Sequence, residues 1–370
     1  MKRERTEKKG FFAYVPVWTI VLFALAAVAG IIELISKHSV ALADFINETT
    51  GRVLRAGFSY LTFIFPFSVA EMLLLFSPVL LIVLIVFVIK FSKKSWKALS
   101  RFVAGFLALV SLVYTAFVFT MGTAYYGTTV ADKMGVPRRD VSAEELYDTA
   151  KMLIDIAAEQ TDKIMYPERT YSSMPYEYSE MNRKLNVAYK KLCEKYDGID
   201  SLYSRTKPVI LSPYWTYTHI SGVYSFFTGE ANVNTNYPDF IIASSAAHEM
   251  AHQRGVATED EANFVAFVVC MMSDDPFLRY AACLDMYGNF ASSLAGASPE
   301  LYAKLYSQIP DEIKRDLVAY GEFFEKYRDN VAADVSDKIN DGYIKDHGQP
   351  EGIKSYGMVV DLVVSYMLYS

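Results

Sequence analysis

The sequence predicts a mainly α-helical protein that three N-terminal helices anchor in a membrane and that continues as a water-soluble domain with a small sheet. Nearly all the long uncharged stretches lie in the first third of the 370 residues. The charge divides at the same point: residues 1–125 hold 13 Lys and Arg against 6 Asp and Glu, whereas the other 245 hold 23 against 36. Residues 208–236, rich in Val, Ile, Tyr, Phe and Thr, are the best strand candidate. The net charge of −6 argues against a nucleic-acid binder.

Three stretches are long enough to cross a bilayer, which takes about 20 mainly apolar residues. They lie at about 11–35, 67–90 and 102–126. The first could instead be a signal peptide, but its apolar part is too long and no small-residue cleavage site follows it. The uncharged aromatic stretch Ala56–Ala70 is interpreted as an interfacial or re-entrant segment that leads into the second span.

The distribution of Lys and Arg predicts the orientation of these spans. Only three basic residues lie between the first and second spans. Five precede the first span and five lie between the second and third, namely Lys2, Arg3, Arg5, Lys8, Lys9, Lys90, Lys93, Lys94, Lys97 and Arg101. The positive-inside rule therefore puts the N-terminus in the cytoplasm. With three spans, residues 1–126 form a multi-pass anchor in the cytoplasmic membrane and residues 127–370 an extracytoplasmic domain; an even number of spans would reverse this.

The domain after residue 127 has a mostly helical pattern. A capping-box pattern at Ser142 and Glu145 begins an amphipathic helix that extends to about residue 163. A second helix covers about Glu177–Tyr196, and helices resume from Phe240 after the strand region.

The apolar tail Ile353–Tyr369 is short for a span, which favours a docked C-terminal helix over a fourth crossing. The cysteines, Cys193, Cys270 and Cys283, do not have the spacing of zinc ligands. A bridge between Cys270 and Cys283 is one interpretation, and three buried free thiols are the preferred one.

The most informative motif is His248-Glu-Met-Ala-His252. Two histidines four residues apart on a helix project from one face, one turn apart, so both can bind a single zinc ion at about 2.0–2.1 Å. Glu249 lies one step round the helix, where it can accept a proton from the water that the metal activates. The small residues 243–247 before the motif suit a buried helix. The alternative is a helix whose histidines are merely hydrogen-bonded.

A catalytic zinc needs a third protein ligand. Gly255 can end the helix in a left-handed turn that returns the chain toward the metal. Thr258 then suits an N-cap and Glu261 its capping-box partner, which leaves Glu259 free to bind the metal. Glu259 is preferred over Glu261 as the third ligand, and Asp260 ranks behind both.

This constellation resembles a known class of metallopeptidases. The sequence Glu259-Asp-Glu-Ala-Asn263, close behind the His-Glu-x-x-His motif, resembles the Glu-x-x-Ala-Asp/Asn signature of gluzincins. The resemblance implies a zincin-like α+β domain, with Glu259 as metal ligand and Asn263 supporting a histidine. The interval from His252 to Glu259 is shorter than in most gluzincins. The whole chain also resembles an uncharacterised bacterial family of membrane proteins with three spans and a zincin-like domain.

Zincins resemble one another in having an edge strand before the metal helix, on which an extended peptide can pair. By this resemblance, Ser225–Asn234 is the expected edge strand. Gly229 would let a substrate backbone come close, and Asn232 and Asn234 would bind substrate or brace the strand. Glu230 and His219, also nearby in sequence, are expected to be a solvated carboxylate and a hydrogen-bonded histidine.

The sequence therefore predicts a membrane-anchored zinc metallopeptidase with His248, His252 and Glu259 as metal ligands and Glu249 as catalytic base. Its expected partners are the lipid bilayer and a peptide or protein substrate, cell-envelope proteins among them, and not nucleic acid. The alternative is a non-catalytic, zinc-stabilised sensor or scaffold at the cell surface. Intramembrane proteolysis fits less well, because polar and acidic residues rather than an apolar span follow His252.

Overall fold

A computed structural model describes residues 10–346 and 358–369. The N-terminal third folds as five helices: α1 (Val17–Ser36), α2 (Val40–Ile46), α3 (Arg52–Phe63), α4 (Val69–Lys94) and α5 (Trp96–Thr120). By length and composition, α1, α4 and α5 could each cross a membrane. The prediction of three such helices is confirmed, and the protein is compatible with a membrane location.

The third apolar helix begins earlier than the sequence predicts. Ser95 ends α4 and begins α5, and its Oγ accepts a hydrogen bond from the backbone N–H of Ala98. This single residue joins the two helices, and α4 and α5 run antiparallel and pack together; α1 also packs against α5. The expected end of this span, Gly122–Tyr126, is a separate 3₁₀ turn.

The segment between α1 and α4 folds against the C-terminal domain. Helices α2 and α3 are joined by a π-helical turn, Asn47–Gly51. Part of the expected lead-in, Ala56–Phe63, belongs to α3, whose Thr62 hydroxyl donates to the carbonyl of Thr228 in the domain. Helix α3 is therefore attached to the C-terminal domain.

The C-terminal domain contains eleven helices among the described residues. They are α6 (Val130–Lys133), α7 (Ala143–Ala158), α8 (Tyr178–Lys195), α9 (Ser212–Trp215), α10 (Asp239–Gln253), α11 (Glu259–Met271), α12 (Pro276–Ala297), α13 (Pro299–Gln308), α14 (Asp311–Glu325), α15 (Val331–Asp346) and α16 (Val359–Tyr369). The capping box predicted at Ser142 and Glu145 begins α7, which ends at Ala158 rather than near residue 163.

The core of the domain is built around α10, α11 and α12, which pack against one another. Helix α16 docks onto α7, α11 and α12 through buried side chains such as Leu362 and Val363. The predicted docked C-terminal helix is therefore confirmed, although its expected start at Ile353 lies outside the described residues. Cys193, Cys270 and Cys283 are free thiols, so the alternative bridge is not formed.

The sheet has three short strands, β1 (Thr206–Pro208), β2 (Gly222–Ser225) and β3 (Glu230–Val233), in the order β1-β3-β2. Strand β3 pairs parallel with β1 and antiparallel with β2. The strand that leads into α10 is therefore the central strand, and the expectation of an edge strand there is wrong. The edge strand beside α10 is β2.

Several residues near the sheet have structural partners. The φ of Gly229 is +68°, and a Cβ there would come within 2.5 Å of the backbone nitrogen of Ser59, so the close approach that Gly229 permits is that of α3. The side-chain amides of Asn232 and Asn234 donate to the carbonyls of Val223 and Ile220, so both brace the β2–β3 hairpin.

The two remaining candidates near the sheet differ in outcome. Glu230 is 1% exposed and paired with Lys207, so the expectation of a solvated carboxylate is wrong. His219 is hydrogen-bonded as expected, with its Nε2 2.6 Å from the carbonyl oxygen of Tyr327.

Candidate metal centre

The His248–His252 motif lies on the buried helix α10. The residues that precede it, 243–247, are small and buried, so neighbouring elements can approach closely. The hydroxyl of Tyr189 on α8 donates to the carbonyl of Ala247 over 2.6 Å. At the end of α10, Gln253 donates from Nε2 to the carbonyl of Gly229 over 2.6 Å and to the hydroxyl of Ser59 over 3.1 Å. The sheet and α3 thus fix the orientation of the helix.

The two imidazoles turn the same nitrogen toward a common point. The Nδ1 of His248 is 2.7 Å from Oδ1 of Asn263, and the Nδ1 of His252 is 2.8 Å from the carbonyl oxygen of Val256. Both partners are acceptors, so both Nδ1 atoms carry the proton when the rings are neutral. The two Nε2 atoms, 3.0 Å apart, then face one another with their lone pairs.

Glu259 completes a group of three. Gly255, with φ of +92°, ends α10 in the left-handed turn that the sequence predicts, and Thr258 occupies the N-cap position of α11. The Oε2 of Glu259, in the first turn of α11, lies 3.1 Å from Nε2 of His248 and 3.4 Å from Nε2 of His252. Among the described residues, these three side chains form the group of His, Cys, Asp and Glu that could hold a metal ion.

The other two acids of α11 point elsewhere. The Oε2 of Glu261 accepts a hydrogen bond from the backbone N–H of Ala131 over 3.0 Å, and its Oε1 lies 3.2 Å from a guanidinium nitrogen of Arg138. Asp260 pairs with the same guanidinium group. The expected capping box of Glu261 with Thr258 is not formed, since the Thr258 side chain makes no cap hydrogen bond. Glu261 is nevertheless structural, because it holds the segment before α7.

The dimensions of the three-residue group fit zinc. Tetrahedral bonds of about 2.0–2.1 Å put neighbouring ligand atoms about 3.3–3.4 Å apart. The corresponding distances here are 3.0, 3.1 and 3.4 Å. The three ligand atoms therefore need to move apart by only a few tenths of an ångström to bind zinc. Two imidazole nitrogens with one carboxylate oxygen is also a donor set that zinc binds, with a position left for water.

The charges within the group favour ionised forms. Burial alone would lower the pKa of His252, but the facing carboxylate of Glu259 raises it to about 9. Burial would raise the pKa of Glu259, yet the two histidines hold it well below its usual value. The carboxylate therefore needs a positive partner, which either a protonated imidazole or a metal ion supplies.

Glu249 lies beside the group without joining it. The side chain is buried, its Oε2 has no hydrogen-bond partner among the described residues, and the backbone N–H of Tyr224 donates to the carboxylate. Burial raises the pKa of Glu249 to about 7, against the opposing effect of the two histidines. A carboxyl group with a pKa near neutrality can both accept and release a proton.

The edge strand β2 contacts this carboxyl group directly. A Cβ at Gly222 would come within 2.6 Å of both Cγ and Oε1 of Glu249, so only glycine fits there. The backbone N–H of Asn234 donates to the carbonyl of Ser221, so the N–H and C=O groups of Gly222 and Tyr224 point away from β3. The sequence around Gly222 does not predict this role, because the contact joins residues 27 positions apart on a strand and a helix.

Comparison with known proteins identifies one family to which this chain is related. Neither the curated proteins nor the solved structures contain a match to this chain. A family model described as "Protein of unknown function (DUF3810)" matches residues 48–364, which include α3, the sheet and the metal-binding candidates. The match covers most of the chain, and the protein therefore belongs to the DUF3810 family.

Proposed function

We propose that this protein is a membrane-anchored zinc metallopeptidase that hydrolyses peptide or related amide bonds. The observation that carries the proposal is the convergence of Nε2 of His248, Nε2 of His252 and Oε2 of Glu259 beside the buried carboxyl group of Glu249. A group that only stabilised the fold would not need a carboxyl group with an unpartnered oxygen at its side.

The roles of the residues follow from their contacts. A zinc ion bound by His248, His252 and Glu259 would polarise a substrate carbonyl and lower the pKa of a water molecule. Asn263 and the carbonyl of Val256 hold the two imidazoles in the tautomer that leaves Nε2 unprotonated. Glu249 accepts the proton of the attacking water on its unpartnered oxygen and delivers it to the leaving nitrogen.

Strand β2 is the proposed binding site for the substrate backbone. The N–H and C=O groups of Gly222 and Tyr224 point away from β3. Since the N–H of Tyr224 donates to Glu249, the two groups of Gly222 and the C=O of Tyr224 are the ones that an extended peptide would pair with. Gly222 is also in contact with Glu249, so a peptide paired with β2 would lie beside the proposed base. Strand β2 thus takes the role that the sequence predicts for Ser225–Asn234.

The proposed location is the cytoplasmic membrane, with the C-terminal domain outside the cytoplasm. The three apolar helices are compatible with it, and the basic residues 90–101 lie where α4 meets α5, at the end away from the domain. Protease accessibility of the domain on intact cells tests the orientation, since an inward-facing domain would be protected until the cells are opened.

The metal content of the purified full-length protein tests the proposal most directly. We expect about one zinc ion per chain in detergent, as a three-ligand site requires, and less than a tenth of that in His248→Ala. His38→Ala is the matched control, because His38 is exposed and lies outside the group. Equal zinc content in the wild type and in His248→Ala would contradict the metal site.

Asn263→Ala should weaken zinc binding by about 10- to 100-fold without removing a ligand, which is the usual effect of losing the partner of a metal-bound histidine. The reason is that His248 loses the acceptor that holds its Nδ1 proton. Competition with a chelator of known affinity measures the change. An unaltered affinity would show that this hydrogen bond does not orient the ring.

Gly222→Ala should lower hydrolysis by about 100-fold, the scale of effect that a misplacement of about 1 Å at a catalytic group produces. The new methyl group would overlap Glu249 and displace it, while the three metal ligands stay in place. Hydrolysis and zinc content are measured together. Gly288→Ala, where a Cβ meets nothing within 4 Å, is the control and should retain both. Full activity in Gly222→Ala would contradict the assigned position of Glu249.

A further inference from the structure

We infer that the substrate is a polypeptide anchored in the same bilayer and cut within a few residues of the membrane surface. The inference rests on the proposed function and goes beyond it by assigning a substrate class. Its basis is the route that β2 follows: the strand begins at the proposed catalytic carboxyl group and ends at the apolar helices.

The far end of β2 is attached to the last turn of α5. Phe226, the residue after β2, packs edge-on against Phe117 of α5 with 5.2 Å between the ring centroids. Phe117 lies three residues before the end of α5 at Thr120. The turn between β2 and β3 also meets α3, because the Thr62 hydroxyl donates to the carbonyl of Thr228 over 3.0 Å.

The beginning of β3 is attached to the first turn of α4. The carboxylate of Glu230 accepts hydrogen bonds from the backbone N–H groups of Val69, over 3.0 Å, and Ala70, over 2.8 Å. These are the first two residues of α4, where a carboxylate satisfies N–H groups that have no partner within the helix. In return, Glu71 accepts from the N–H groups of Ile210 and Leu211 in the domain.

Both attachments lie at the same face of the membrane. Helices α4 and α5 run antiparallel, so the beginning of α4 and the end of α5 are neighbours. The tip of the β2–β3 hairpin is therefore held at one membrane surface by two independent sets of contacts. Gly222, which contacts Glu249, is only four residue steps from Phe226 at that surface, a distance of about 13 Å for an extended strand.

The side chains around this hairpin suit the headgroup region of a bilayer. Large apolar and aromatic side chains on the turns near the sheet and on α9 are exposed, among them Ile64, Tyr203, Ile210, Tyr214 and Phe227. Aromatic residues are enriched at membrane interfaces, where one end of the ring is apolar and the other wet. The sheet is therefore bordered by exposed apolar side chains at the β2–β3 turn, which contains Phe227, and around β1.

These positions limit what can pair with β2. Among the described residues, no strand pairs with its outer edge, and the side chain of Val223 is 39% exposed. A chain paired along all of β2 must pass close to the bilayer at one end and reach Glu249 at the other. A polypeptide that emerges from the same bilayer does so at high effective concentration, whereas a folded water-soluble protein would first have to unfold beside the membrane.

Two probes in lipid nanodiscs test the inference with the full-length protein. The first probe has one transmembrane helix joined to a randomised, unstructured segment of about 30 residues. It is made in two versions, with the segment before the helix and with the segment after it, because the direction in which a substrate pairs with β2 is not assumed. The second probe is the same segment without the helix. We expect mass spectrometry to find cuts within about ten residues of the helix, and cleavage of the free segment to be at least about tenfold slower at the same bulk concentration.

The outcomes separate the inference from the proposed function. Equal rates for both probes, or cuts spread along the whole segment, would overturn the inference and leave the peptidase intact. Cleavage of neither probe by zinc-loaded protein would overturn the proposed function and the inference together.

A spin label gives a second readout that does not need catalysis. The label is attached at Val223→Cys in a Cys193→Ser background, since Cys270 and Cys283 are buried. Power saturation with oxygen and a nickel chelate measures depth, and the label at 223 should lie markedly closer to the bilayer than a label at Tyr306→Cys on α13, which packs against α7 and α12. Equal depths at the two positions would overturn the placement of β2 at the membrane.

Discussion

Glu249→Gln is expected to retain its zinc and lose hydrolysis by about 10²- to 10⁴-fold, the range over which a positioned acid–base group contributes. The amide has nearly the size and shape of the carboxyl group, so Gly222 and the N–H of Tyr224 can still accommodate it. It cannot accept a proton from water at neutral pH. Initial rates on a randomised peptide library, with zinc content measured on the same samples, give the comparison.

Glu194→Gln is the matched control, because the carboxylate of Glu194 is 65% exposed on α8 and should be dispensable. Full hydrolysis in Glu249→Gln would contradict the mechanism. The same pair of variants separates the two functions that the sequence leaves open. If Glu249→Gln sustains function in cells and His252→Ala does not, the protein is a zinc-stabilised sensor or scaffold.

The parts of the candidate site that the sequence predicts are local. The four-residue spacing of His248 and His252 needs only a helix to bring the rings together, and Gly255 supplies the left-handed turn that returns the chain. Glu259 follows within one further turn. The preference for Glu259 over Glu261 rests on a capping box that does not form, yet Glu259 is still the acid that faces the imidazoles.

The parts that the sequence does not predict depend on contacts between distant residues. A carboxylate such as Glu230 looks solvated until the first turn of α4, about 160 residues earlier, is found to donate to it. The contact between Gly222 and Glu249 likewise depends on how the sheet lies against α10. The order of the strands in the sheet also depends on such contacts, since periodicity identifies a strand but not its neighbours.

The division of the chain at residue 126 into an anchor and a separate domain stays a prediction, and the contacts of α2 and α3 bear on how it should be tested. Asn47 donates from Nδ2 to the carbonyl of Gly255, the residue that turns the chain from one metal-binding helix to the next. A Cβ at Gly255 would also come within 2.6 Å of the guanidinium group of Arg55. Experiments on the metal centre therefore use the full chain rather than residues 127–370.

Arg55→Ala should destabilise the protein by about 3–5 kcal/mol, the cost of removing one partner from a buried ion pair. The side chain of Arg55 is 1% exposed and lies 2.7 Å from Oδ2 of Asp200, which is also buried. Its guanidinium group also donates to Asn47 and to the carbonyl of Thr120 at the end of α5. The substitution leaves the Asp200 carboxylate buried with one exposed partner and removes one of the links between α3, α5 and the domain. Unfolding in mixed detergent micelles measures the free energy.

Arg52→Ala is a closely matched control, since Arg52 lies on the same helix and bonds the other oxygen of Asp200 over 2.8 Å. Its side chain is 46% exposed, and solvent-exposed pairs contribute only about 0–1 kcal/mol. Two arginines that share one carboxylate are thus expected to differ severalfold in their effect on the free energy of unfolding. Equal effects would show that burial of Arg55 does not set its contribution. A negligible effect of Arg55→Ala would mean that the buried pair of Arg55 and Asp200 does not contribute to stability.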